Sequence, residues 1–209
     1  MTAEDLKDVF LSTEFKNDLN ELSSYLASIM QERPIVYLLA KHLWKRGIKY
    51  ELEEKRCDLT VNGKRCEFKC NLIRAMAKLK EELTRWQSLD DMCAAVKRRE
   101  SSRTWTIMPR IYEDVCEKSP DFFVWIIYSR DLANVSETDL ARICFGKELQ
   151  KFNKKHPYET QGKLLDAADT FLQRLCEKRP FVVLKGEIVT NGDFPSTYFF
   201  RICDFAQSR

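Results

Sequence analysis

Apolar residues recur along the chain at two spacings, and the change from one to the other divides it into elements. Phe15, Leu19, Leu22, Leu26 and Ile29 follow at three and four, predicting one or two amphipathic helices behind the cap-like start Thr2-Ala3-Glu4-Asp5. A second stripe, Ile35, Leu38, Leu39 and Leu43, runs from Pro34, suited to a first helical turn, to Gly47, suited to a stop. At Ile48 the spacing becomes two, and Ile48, Tyr50 and Leu52 predict a strand over residues 48–54.

The stretch Arg56 to Cys70, RCDLTVNGKRCEFKC, keeps the spacing of two on both sides of Asn62-Gly63. Asn-Gly favours a two-residue hairpin turn, because both positions need positive φ. With that turn Val61 faces Lys64, Thr60 faces Arg65, Leu59 faces Cys66, and Asp58 faces Glu67. Alternation then puts Cys57, Leu59, Val61, Cys66, Phe68 and Cys70 toward the core, and Arg56, Asp58, Thr60, Arg65, Glu67 and Lys69 on the other face.

After the hairpin the helical spacing returns. Asn71 is a predicted cap for a helix with Leu72, Met76, Leu79, Leu83 and Trp86 inward, and Asp90 to Arg99 predicts a shorter one. Arg103 to Ile107, around Trp105, reads as a short strand or an ordered loop. Asp121 to Ser129, DFFVWIIYS, is an apolar run of strand length, predicting a central strand covered on both sides. Ser136-Glu137-Thr138-Asp139 opens another predicted helix, bearing Lys147, Lys151, Lys154 and Lys155, and Lys163 to Lys178 a further one. His156 falls in a loop. Strands over Phe181–Thr190 and Thr197–Phe205 close the chain as a hairpin around Asn191-Gly192-Asp193 that could extend the sheet.

Composition narrows the class. The 209 residues suffice for one sizeable core and contain no linker-like or low-complexity run, so a single domain is expected. Lys and Arg number 35 against 32 Asp and Glu; a net +3 leaves nucleic-acid binding to local patches. The eight cysteines sit at apolar positions of predicted elements and read as reduced thiols. With two histidines in the chain and no second close cysteine pair, a zinc site is not expected. No signal-like segment and no run of 18 apolar residues is present, so a soluble protein of the cytoplasm or another reducing compartment, with no membrane partner, is expected.

The opposition of Asp58 and Glu67 breaks a local rule. Like charges facing each other destabilise a strand pair by roughly 0.2 to 1 kcal/mol, and such a violation marks a place to look for function. Two carboxylates on one spot suit a divalent cation that takes oxygen ligands and leaves positions for water and phosphate. Lys69, on the same face, suits an attacking water or a phosphorane. The other reading is a solvated ladder, with Asp58 reaching Lys69 or Arg65 and Glu67 reaching Arg56.

Asp58, eight residues, then Glu67-Phe68-Lys69 resembles the signature of the PD-(D/E)xK nuclease superfamily. The order helix, three strands, helical segment, strand from Pro34 to Ser129 is similar to the αβββαβ core of its restriction-endonuclease-like fold. Cys57 stands where the family often has Pro. The resemblance implies an α+β or α/β protein with a mixed sheet flanked by helices: a nuclease-like core over residues 31–130, N-terminal helices, and a helical and β-hairpin extension over residues 131–209. It implies Asp58, Glu67 and the Phe68 backbone carbonyl as ligands of Mg²⁺ or Mn²⁺, and Lys69 as the catalytic lysine. Glu32, at the start of the second predicted helix, becomes a third acidic ligand, or else complements the helix N-terminus.

The implied activity is metal-dependent hydrolysis of phosphodiester bonds in nucleic acid, with DNA the expected partner, and a homodimer for cutting both strands. Arg74, Lys78, Lys80 and Arg85 are the expected phosphate contacts, or simply a solvated helix face. Two further readings stand beside it: a catalytically inactive nuclease-fold protein that binds nucleic acid or serves assembly, and an unrelated α+β interaction domain.

Overall fold

Asn62 and Gly63 take φ of 50° and 77°, and between them strand β2 (Leu59–Val61) turns back into β3 (Lys64–Leu72). The structure, a computed structural model, describes residues 1–25, 32–52, 58–73, 75–97, 107–130, 158–191 and 195–205. The hairpin register is the one the turn dictates: Val61 pairs with Lys64, Thr60 with Arg65 and Leu59 with Cys66. Strand β1 (Tyr50–Leu52) lies antiparallel to β2 and is shorter than the alternation predicts, residues 53–57 falling outside the described set.

Strand β3 runs parallel to β4 (Phe122–Arg130), the apolar run recognised in the sequence, whose residues Phe122 to Tyr128 are all buried. Strand β5 (Val182–Thr190) and β6 (Ser196–Asp204) do extend the sheet, but β6 lies between β4 and β5. Among the described residues this makes a mixed six-stranded sheet in the order β1-β2-β3-β4-β6-β5, with β3–β4 the parallel pair. The fold is α+β.

Helices cover both faces. Helices α1 (Ala3–Leu11), α2 (Thr13–Tyr25) and α3 (Glu32–Lys45) supply the layer in which Leu6, Phe10, Phe15, Leu39 and Leu43 pack on Leu59, Val61, Cys66 and Phe68. The cap-like start is a capping box between Thr2 and Asp5, and Gly47 ends the α3 region with φ of 68°. On the opposite face lie α4 (Ala75–Arg85), α5 (Leu89–Lys97), α6 (Met108–Tyr112) and α7 (Tyr158–Lys178), burying Met76, Leu79, Leu83, Trp86 and Phe171 against Trp125 and Phe199. One π-helical turn, Glu113–Glu117, continues α6 and leads into β4.

Asn71 is not a helix cap. Strand β3 runs through it to Leu72, α4 begins at Ala75, and the Asn71 amide oxygen accepts from Trp125 Nε1 at 2.9 Å. The parallel partner β4 outweighs the local capping preference by offering a full ladder. Arg56, Cys57, Arg74, residues 98–106 with Trp105, and residues 131–157 with the four lysines and His156 lie outside the described residues.

Gly186 on β5 faces the ring of Phe200, and a Cβ there would overlap the ring atoms. Phe200 is itself stacked on Phe10 with centroids 5.3 Å apart, so it has nowhere to retreat. Gly186→Ala is therefore expected to lose about 2 kcal/mol or more of stability, read as a lowered urea midpoint; an unchanged midpoint would mean that β5 does not pack as described.

Candidate active site

At the end of the hairpin β3 outruns β2, and two carboxylates take the place of the missing strand. Asp58, just ahead of β2, accepts from the Phe68 N–H at 2.7 Å, and Glu32, the first residue of α3, accepts from the Cys70 N–H at 3.1 Å. A strand residue directs its N–H and C=O to the same edge. The Phe68 carbonyl therefore points to the edge that Asp58 and Glu32 occupy.

Glu67 and Lys69 project from the face opposite Phe68, the face covered by α4, α6 and the π-turn. Glu67 is buried, with 2% of its surface exposed, so the solvated-ladder reading does not describe it. Its Oε2 accepts from Lys118 Nζ at 2.9 Å, and its Oε1 is buried with no hydrogen-bond partner among the described residues. Lys118 also pairs with Asp114 Oδ1 at 2.8 Å. Asp114 Oδ2 lies 3.1 Å from Lys69 Nζ, and Lys69 reaches Glu32 Oε2 at 3.5 Å. The groups form a chain of alternating charge: Glu67, Lys118, Asp114, Lys69, Glu32.

The electrostatics follow from burial. Desolvation pushes the Glu67 carboxyl up to about 7; the Lys118 hydrogen bond opposes this and the charge of Asp58 adds to it. Burial likewise raises Glu32, against the pull of Lys69. For Lys69 burial acts downward, but Glu32 and Asp114 outweigh it and the ammonium is held above the ordinary lysine value. Lys118 is raised too, its bonds to Asp114 and Glu67 exceeding the cost of burial.

No family model, curated protein or solved structure matches the chain. Asp58, Glu67, Lys69 and Glu32, the residues singled out in the sequence, belong to one neighbourhood. Asp114 and Lys118 join them without having been foreseen. The one sequence signal they give is an acid and a lysine at i and i+4 just before the apolar run of β4.

Among the described residues the expected phosphate contacts take no part in the charge chain. Lys78 and Lys80 are exposed on α4 and make none of the cluster's ion pairs, Arg85 packs over Trp86 at 5.4 Å, and Arg74 is outside the described residues. Glu82 of α4 is a buried carboxylate with a structural task. It accepts from the Ile107 and Met108 N–H groups at 2.8 to 3.0 Å and so anchors the start of α6, upstream of Asp114.

Among the described residues no three His, Cys, Asp or Glu side chains are gathered closely enough to cage a metal ion by themselves. A Mg²⁺-like ion does not need such a cage, since it keeps several waters and takes one or two carboxylates together with substrate phosphate. The donors here are oxygen atoms, and Glu67 Oε1 is an unsatisfied one. Asp58, Glu67, Glu32 and Asp114 against Lys69 and Lys118 leave two negative charges when all are ionised, the charge a divalent cation balances. The residues fit the ion.

The six cysteines among the described residues carry free thiols. No helix among those residues is long and apolar enough to cross a membrane.

Proposed function

We propose that the protein is a metal-dependent nuclease of the PD-(D/E)xK kind, hydrolysing phosphodiester bonds of nucleic acid, with DNA as the expected substrate. The observation that carries this reading is Glu67: a buried carboxylate with one oxygen unbonded among the described residues, within the field of the Asp58 charge and two residues from a charged lysine. The sheet supports the finer fold assignment, since β1, β2 and β3 are successive neighbours and β4 follows parallel to β3.

In this reading Asp58, Glu67 and the Phe68 carbonyl hold Mg²⁺ or Mn²⁺, with Glu32 at the rim. When bound there, the ion would supply an acidified water and polarise a phosphoryl oxygen. Lys69 is kept protonated by Glu32 and Asp114, so it donates to the oxygen on which charge builds and does not abstract a proton. Lys118 steadies Glu67 by its Oε2, leaving Oε1 without a hydrogen-bond partner among the described residues.

A second reading keeps the fold without the reaction. Lys69 and Lys118 already neutralise part of the carboxylate cluster, as in a binding or assembly protein that retains the motif as a charge network. One experiment separates the two: plasmid, single-stranded DNA and RNA incubated with Mg²⁺, Mn²⁺ or EDTA, using wild type and folded Asp58→Ala and Lys69→Ala proteins. Cleavage that needs metal and disappears in both variants is the expected result. No cleavage by the wild type, or cleavage that survives both substitutions, leaves the second reading.

A further inference from the structure

Beside the carboxylates, on the same face of the hairpin, lies a cleft of about 350 Å³ lined by Lys49, Tyr50, Glu51, Thr60, Asn62, Gly63 and Arg65. Thr60 and Arg65 are cross-strand partners, and Glu67 is the next residue along β3 on that face. Arg65 and Glu67 stand about 6.6 Å apart along the strand, the order of the separation of neighbouring phosphates along a nucleic-acid strand.

The cleft has the chemistry to hold such a phosphate. Arg65 is fixed at two levels: its backbone exchanges hydrogen bonds with Asp121, and its guanidinium donates to the Ser119 carbonyl, next to Lys118. A guanidinium tethered on one nitrogen keeps its remaining donors for an oxyanion. Lys49 is exposed and its carbonyl accepts from the Asn62 N–H, while the nearly buried Thr60 lies on β2, between β1 and the Arg65 strand β3.

We infer that this cleft binds the nucleotide adjoining the scissile phosphate of a single nucleic-acid strand, with Arg65 and Lys49 on its phosphate. The inference rests on the nuclease reading for the class of ligand. The volume is near the lower end for ligand sites and takes one nucleotide, not a duplex.

The test is fluorescence anisotropy of a short labelled DNA strand in EDTA, where binding is seen without turnover. Arg65→Gln should weaken binding about tenfold and reduce the dependence of log affinity on log salt by about 0.7, one phosphate contact on a single strand. Lys49→Gln, whose side chain is exposed, should act in the same direction without any risk to folding. Lys7→Gln on α1 serves as the control.

If both cleft variants match wild type in affinity and salt slope, if wild type binds no strand, or if a duplex binds as tightly as a single strand, the inference is overturned. Binding that the cleft substitutions weaken, in a protein that cleaves nothing, supports the cleft and removes the nuclease reading. Cleavage lost in Glu67→Gln but with binding indifferent to the cleft removes the cleft alone.

Discussion

Glu67→Gln is expected to abolish metal-dependent cleavage, on the order of 10³-fold, while making the protein more stable at alkaline pH. The second half follows from the sign of the Glu67 shift. Its carboxyl titrates near 4.5 when unfolded and at about 7 when folded. Between those values the folded state binds more protons than the unfolded one, so stability falls as pH rises from about 4.5 through 7 and stays low above.

At 1.36 kcal/mol per pH unit the ionised Glu67 costs the fold about 3 kcal/mol at pH 8. An amide carries no such charge and still accepts from Lys118. A gain of roughly 1 to 3 kcal/mol is expected at pH 8, several degrees in Tm for a chain of this length, and almost none at pH 4. Thermal melts of both proteins at the two pH values decide it. A variant no more stable at pH 8 would show that Glu67 is not held as a desolvated anion, and the observation behind the nuclease reading would go with it.

Lys118→Met should act in the opposite direction. It removes the ammonium from Glu67 Oε2 and from Asp114 Oδ1, while Asp114 keeps Lys69. Loss of one partner of a buried ion pair costs about 3 to 5 kcal/mol, and because the Lys118 side chain is 38% exposed the expected cost is lower, about 2 kcal/mol at pH 8. The cost should shrink below pH 4.5, where Glu67 is protonated in both states.

A double-mutant cycle isolates the contact. In the Glu67→Gln background the Lys118→Met cost should be clearly smaller than in wild type. Equal costs in the two backgrounds would mean that Lys118 acts elsewhere. Lys118→Arg should recover part of the stability by renewing the charge-assisted bonds.

Glu67→Gln and Lys118→Met sit on opposite sides of what was legible beforehand. The pairing of Leu59 with Cys66 and of Thr60 with Arg65 could be set from the sequence because a hairpin register depends on one turn and the alternation beside it, interactions spanning a few residues. Glu82, by contrast, reads as one more polar residue of a helix. That it anchors the first N–H groups of α6 depends on a contact between segments 25 residues apart in sequence. Asn71 shows the reverse failure, a sound local signal overruled by a strand partner more than fifty residues away.

By itself the sequence determined the hairpin, its register, the buried β4 run and the helices whose apolar stripes are continuous, because these rest on turn conformation and on side-chain periodicity. Tertiary structure decided that β6 enters the sheet between β4 and β5, that Glu67 is buried, and that Asp114 and Lys118 close the charge chain over it. Those outcomes depend on which surfaces meet across the parallel β3–β4 pair and the π-turn before it. Burial, which turns an ordinary glutamate into one titrating near 7, exists only once they have met.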